Sequence, residues 1–190
     1  KGQEEENIKH VNTFKIDCFS ERKMRLVLEN PPFGTPWSGK DSEDGSEEAV
    51  KAEFAKGLSG RWGAGLPSGG DGQLLFLQSA VNKLDPDCGR AAIIENGSPL
   101  FTGGTSSGES QIRRWLLEKD LLEAIIALPT DLFYNTGIAT YIWILSKNKS
   151  KKRKGKVQLI DASSFYEKLR KSLGNKRVEI TPNNREQITK

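Results

Sequence analysis

The stretch Met24-Arg25-Leu26-Val27-Leu28-Glu29-Asn30-Pro31-Pro32-Phe33 opens as an apolar run that predicts a strand and closes on two consecutive prolines. Each proline fixes its own φ angle, removes one amide donor and holds the residue before it extended. The chain therefore leaves the strand along one rigid path. The Asn30 side-chain carbonyl and the Pro31 main-chain carbonyl can then face one space as acceptors, with no neighbouring N–H to satisfy them. An exocyclic amine offers two N–H donors to such a pair. Held by both, its nitrogen shifts from a planar, conjugated state toward a pyramidal one with an available lone pair. Phe33 supplies a flat face on which a base can stack. The same four residues also suit a plain Asn-Pro turn at a strand end.

Working outward, strands and helices alternate. A polar, acidic segment runs from Ser38 to Lys56, and Gly57 to Gly72 holds seven glycines together with Arg61, Trp62 and Pro67, which reads as a loop. Asp71 can cap the helix that follows, where Leu74, Leu77, Val81 and Leu84 recur at helical spacing and Pro86 stops the run. Ala91 to Ile94 is a short buried strand bounded by Gly89 and Asn96-Gly97. After the flexible Gly103 to Gly108 segment, Ile112, Trp115 and Leu116 share a second helix face. Leu121 to Leu128, Ile138 to Leu145 and Val157 to Asp161 contain three more strands. Strands separated by helices predict an α/β fold with a mostly parallel sheet. In such a sheet the working face is the crevice beyond the strands' carboxyl ends. Three polar turns fall there: Asn30 to Phe33, Asn96 to Leu100, and Pro129 to Gly137.

Composition sets outer limits. The 190 residues fit one domain, and 29 Lys and Arg against 25 Asp and Glu give +4, a balance compatible with a polyanion partner. Cys18 and Cys88 are isolated and His10 is the only histidine, which excludes a multi-histidine metal centre. No apolar stretch nears the roughly 20 residues of a membrane span, so a cytoplasmic protein without membrane contact is expected. The chain starts Lys1-Gly2 and its only methionine is Met24, which reads as a piece of something longer.

Several longer phrases carry a resemblance: Asn96-Gly97-Ser98-Pro99-Leu100-Phe101, Ser107 to Leu116, Leu128-Pro129-Thr130-Asp131-Leu132-Phe133-Tyr134-Asn135-Thr136-Gly137-Ile138, and Leu169 to Arg177. From about Asn30 onward the chain resembles the modification subunit of type I restriction-modification systems. The resemblance implies a class I, Rossmann-like methyltransferase sheet, with residues 1–190 as the later half of the doubly wound catalytic domain. It implies transfer of a methyl group from S-adenosylmethionine to adenine N6 in DNA after base flipping, with Asn30, Pro31, Pro32 and Phe33 as the catalytic turn. Its implied partners are DNA, a specificity subunit that chooses the site, and a restriction subunit. The family's glycine-rich turn for S-adenosylmethionine precedes the Asn-Pro-Pro-Phe segment, and the 29 residues before Asn30 contain none. The isolated chain is therefore expected to bind S-adenosylmethionine weakly and to be inactive.

Other positions read two ways. Phe133 either covers the far side of the flipped base or packs in the core. Asp17 sits where related enzymes place an acid near the adenine of S-adenosylmethionine, and is equally a surface carboxylate. Asn96 and Ser98 either border the pocket or form a tight turn. Arg61 either touches DNA phosphate or is solvated. The 147–156 loop holds seven basic residues, and its Lys151, Lys152, Arg153 and Lys154 either contact phosphate or form a solvated connection. Two alternatives stand beside adenine methylation: methylation of another planar amine (cytosine N4, RNA guanine, protein glutamine), and a non-catalytic assembly module.

Overall fold

The computed structural model describes residues 4–190, leaving Lys1, Gly2 and Gln3 outside. Its elements run β1 (Leu26–Glu29), α1 (Ser46–Phe54), α2 (Gln73–Lys83), β2 (Arg90–Asn96), α3 (Ser98–Phe101), α4 (Gly108–Glu118), β3 (Leu122–Ala127), β4 (Thr140–Ser146), β5 (Gln158–Asp161), β6 (Glu167–Leu173), β7 (Lys176–Glu179) and α5 (Pro182–Thr189). The first five strands form one sheet in the order β1-β2-β4-β3-β5, and β6 pairs with β7 as a separate hairpin.

The expected α/β alternation is present, but the sheet is mixed rather than mostly parallel. β1–β2 and β3–β5 are parallel, whereas β4 runs antiparallel to both β2 and β3. The cause lies in the 128–139 connection, which contains no helix. Without a crossover to carry the chain back, β4 returns in the opposite sense.

The predicted α2 stripe of Leu74, Leu77, Val81 and Leu84 packs on Ala91 and Ile93 of β2, Trp143 and Leu145 of β4, and Ile112 and Leu116 of α4. Each such aliphatic side chain contributes roughly 1.5–3 kcal/mol by leaving water. Helix α4 starts at Ser107, whose side chain accepts from the Ser110 amide at 3.2 Å. The helix α2 N-cap is Gly72, while Asp71 accepts from the Gln73 amide at 3.2 Å, one position away from the expected cap geometry.

The glycine-rich stretch does more than connect. Trp62 within it joins Phe14, Trp37, Val50 and Leu75 in a second apolar cluster. A Cβ on Gly108 would lie 1.6 Å from the Leu66 carbonyl oxygen, so the loop backbone is pressed against the start of α4 at a point only glycine admits.

At the other side of the sheet, β1 pairs only with β2 among the described residues. Its Leu26 and Leu28 are 61% and 71% exposed. Among the described residues no helix is long and apolar enough to cross a membrane.

Candidate functional site

Register fixes what meets at the carboxyl edge of the sheet. Glu29 aligns with Ile93, Asn96 with Thr140, Ala127 with Tyr141, and Ala127 with Asp161. The turns beginning at Asn30, Asn96 and Leu128 therefore share one rim. Asn30 is exposed, Pro31 is buried, Pro32 is exposed and Phe33 is half-buried. Thr35 Oγ1 donates to the Pro32 carbonyl at 3.3 Å, while the Asn30 side chain makes no hydrogen bond to the described residues. Gly34, at φ +65°, turns the chain away immediately after Phe33. The result is an anchored proline with an unspent amide beside it. Phe133 is half-buried in the turn between β3 and β4, on the same rim.

Asn96 has a structural task. Its Oδ1 accepts from Gln73 Nε2 at 3.0 Å and from the Ser98 amide at 2.8 Å, and its own amide donates to Gln73 Oε1 at 2.9 Å. Gln73 Nε2 also donates to Asp71 at 2.9 Å. This network ties the end of β2 to the start of α2, which accounts for both Asn96 and Ser98 as a turn.

The remaining sequence candidates lie elsewhere. Asp17 is ion-paired with Lys83, beside the Met24–Leu84 bridge at the opposite end of β1. Burial alone would raise its carboxyl, but the Lys83 ammonium and the Phe19 amide hold it below the ordinary value. An acid so engaged does not face Asn30. Arg61 donates to the Thr13 carbonyl at 2.6 Å and the Phe14 carbonyl at 3.2 Å, and its guanidinium lies 4.5 Å from the centre of the Trp62 ring. It is held inside the fold rather than offered to a phosphate.

The 147–156 loop follows β4 at the entry edge, where Lys147 donates its amide to Gly89. Seven residues of β2 separate the two edges, about 20 Å at roughly 3.3 Å per residue. Within the loop, Lys149 is buried and donates to Asp120 and to the Lys156 carbonyl, while Lys151, Lys152 and Lys154 are exposed and Arg153 is half-buried. Asn30 to Phe33 and Phe133 thus lie on turns of one rim, three strand positions apart, while Asp17, Arg61 and Lys151 to Lys154 lie away from it.

Two carboxyls beneath the rim escaped the sequence reading. Glu95 is fully buried and neither of its oxygens has a partner among the described residues. Burial pushes its carboxyl well above the ordinary range, and the neighbouring Asp71 and Glu29 add to the shift. Glu29 lies across from Ile93 on the face that Glu95 shares two residues on, and burial raises it to about 7. The inward alternation Ala91, Ile93, Glu95 held the signal.

A raised carboxyl is a stability cost that grows with pH. Below the ordinary value near 4.5 both folded and unfolded forms are neutral, and the cost is absent. It builds up as pH climbs from 4.5 to about 7, where the unfolded chain has given up the proton that the folded chain still keeps, and levels off above about 7 once both have lost it. Glu29→Gln is therefore expected to stabilise the chain at pH 8, by up to about 3 kcal/mol, and to change little at pH 4. Thermal unfolding across that range checks this, and a pH-independent difference rules it out.

The class I methyltransferase fold is present: a putative class I S-adenosylmethionine-dependent methyltransferase from Listeria monocytogenes superposes over 75% of this chain and 38% of its own, with a TM-score of 0.52 at 19% identity. The chain belongs to the N-6 DNA Methylase family, whose profile matches residues 1–190. The methyltransferase subunit of a type I restriction-modification system from Streptococcus thermophilus has a TM-score of 0.75 at 27% identity, covering 94% of this chain and 34% of that one. The Type I restriction enzyme HindI methylase subunit of Haemophilus influenzae is 33% identical over 153 residues, 80% of this chain and 30% of that protein. The chain thus spans about a third of the length of these relatives.

Proposed function

We propose that this chain is the target-base portion of a type I restriction-modification methyltransferase subunit that methylates adenine N6 in DNA. The observation that carries the reading is the exposed, unbonded Asn30 amide, set on a buried proline beside a half-buried phenylalanine. Asn30 Oδ1 and the Pro31 carbonyl accept the two N6–H bonds of a flipped adenine, and Phe33 stacks on its ring. Phe133 closes over the other face. Flipping costs roughly a few kcal/mol in lost pairing and stacking, which the stacking on Phe33 partly offsets. S-adenosylmethionine supplies the methyl group on its sulfonium. Bound in the complete enzyme, it would give that methyl to N6 in exchange for its bond to sulfur, while Asn30 and Pro31 hold the nitrogen and N6 would release one proton to solvent.

For the methyl donor, this chain offers the acceptor side of the site. Asp17, held by Lys83 at the far edge, does not fit the adenosine of S-adenosylmethionine. The enzyme's partners are DNA, a specificity subunit and a restriction subunit, and its place is the cytoplasm, where the chromosome lies.

The test is product analysis. The complete enzyme, incubated with unmethylated host DNA and radiolabelled S-adenosylmethionine, is expected to yield N6-methyladenine on nucleoside digestion. Label appearing in N4-methylcytosine, RNA or protein instead would overturn the reading.

A further inference from the structure

The second basic surface of the chain lies on the working rim. After β5, the Ala162 amide donates to the Ala127 carbonyl at 2.9 Å, so the chain enters the β6–β7 hairpin at the carboxyl edge of β3. The hairpin then docks on the turn that carries Phe133. Arg177 and Asn175 donate their amides to the Asp131 carbonyl at 2.8 Å and the Tyr134 carbonyl at 3.0 Å. Gly174 is held at φ +62°, and a Cβ there would lie 2.6 Å from the Tyr134 oxygen. Lys176 Nζ lies 5.2 Å from the centre of the Tyr134 ring. The hairpin is thus braced against the rim by backbone contacts, leaving its long side chains outside.

Five of those side chains are cations, set against the two exposed acids Glu167 and Glu179. Lys168, Arg170, Lys171 and Arg177 are exposed and Lys176 is half-buried. None of the five forms an ion pair among the described residues. Three strand spacings of about 4.8 Å separate β1 from β3, which puts the docking turn about 14 Å from Asn30 along the rim. That is about four base steps at roughly 3.4 Å each.

We propose that the β6–β7 hairpin grips the DNA backbone a few nucleotides from the flipped base, and so sets the position of the duplex over Asn30. The inference rests on the adenine-methylation reading and adds to it the surface that holds the substrate. A surface on which five cations outnumber the exposed Tyr134, Tyr166 and Leu173 suits phosphates better than another protein, since lysine is depleted from protein–protein interfaces. Phosphate contacts of this kind fix register without reading sequence.

The experiment measures binding of a fluorescein-labelled mixed-sequence duplex to the complete enzyme over a range of KCl concentrations. Against wild type, Arg170→Gln/Lys171→Gln/Lys176→Gln/Arg177→Gln is expected to flatten the slope of log affinity against log salt by about 2–4, at roughly 0.9 per lost phosphate contact. The matched variant Lys151→Gln/Lys152→Gln/Arg153→Gln/Lys154→Gln, at the opposite edge, is expected to change the slope by less than one. If the fourfold hairpin variant does not fold, the exposed pair Arg170→Gln/Lys171→Gln carries the same test with about half the change. An unchanged slope, or equal flattening by both fourfold variants, overturns the proposal. So does loss of assembly with a partner subunit at unchanged slope, which would make the hairpin a protein interface. Product analysis on the wild type separates the two failures: N6-methyladenine formed while the hairpin variant keeps its slope rejects the hairpin alone, whereas absence of N6-methyladenine rejects both.

Discussion

Asn30→Ala in the complete enzyme is expected to lower kcat for methyl transfer by about 10²–10³-fold, the loss typical of removing one preorganised hydrogen-bonding group from a transition state, or roughly 2.7–4 kcal/mol. In the proposed mechanism the Asn30 oxygen acts on the amine as it becomes nucleophilic, so the effect is expected mainly in kcat and less in KM. Because the side chain is exposed and makes no hydrogen bond within the described residues, the unfolding temperature is expected to stay within about 1 °C, the ordinary outcome for a surface substitution. Asn30→Asp keeps an acceptor at the same place and is expected to retain more of the rate than alanine does. Activity of Asn30→Ala within threefold of wild type would remove Asn30 from the mechanism.

The largest expected effect on stability is at Trp143. It sits in the middle of β4, aligned with Ile93 on one side and Ile125 on the other, and is 1% exposed. Trp143→Ala opens a large cavity between sheet and helices and is expected to cost about 3–5 kcal/mol. For a chain of this size that lowers the unfolding temperature by roughly 10 °C. The indole Nε1 is buried without a partner among the described residues. Trp143→Phe therefore removes an unsatisfied donor along with part of the ring, and is expected to cost much less. Calorimetry on the two variants distinguishes packing from polarity, and equal losses would contradict this account.

The parts of this fold that follow a local period were readable in the residues. The α2 stripe, the β2 run and the α4 face each came from spacing that one element imposes on itself. The β4 direction did not, because the antiparallel return depends on what the 128–139 connection lacks. Hairpin β6–β7 was invisible for a related reason: its strand residues are charged and mostly exposed, so no apolar alternation marks them. Helix α1 was hidden in the same way inside an acidic segment. At the site, the Asn30 turn was legible because two prolines dictate geometry without tertiary help. Asp17 and Arg61 were not, since only folding reveals that Lys83 and the Thr13 and Phe14 carbonyls occupy them. Glu29 and Glu95 needed the register of β1 on β2 to be seen as neighbours.

Among the described residues, the outer flank of β1 has its amides and carbonyls without a mate, and two leucines stand proud beside it. Handled by itself at high concentration, the 190-residue chain has a ready template for joining copies along β1. Turbidity and light scattering of dilution series would register such association, and a charged residue in place of Leu28 would be the direct way to suppress it.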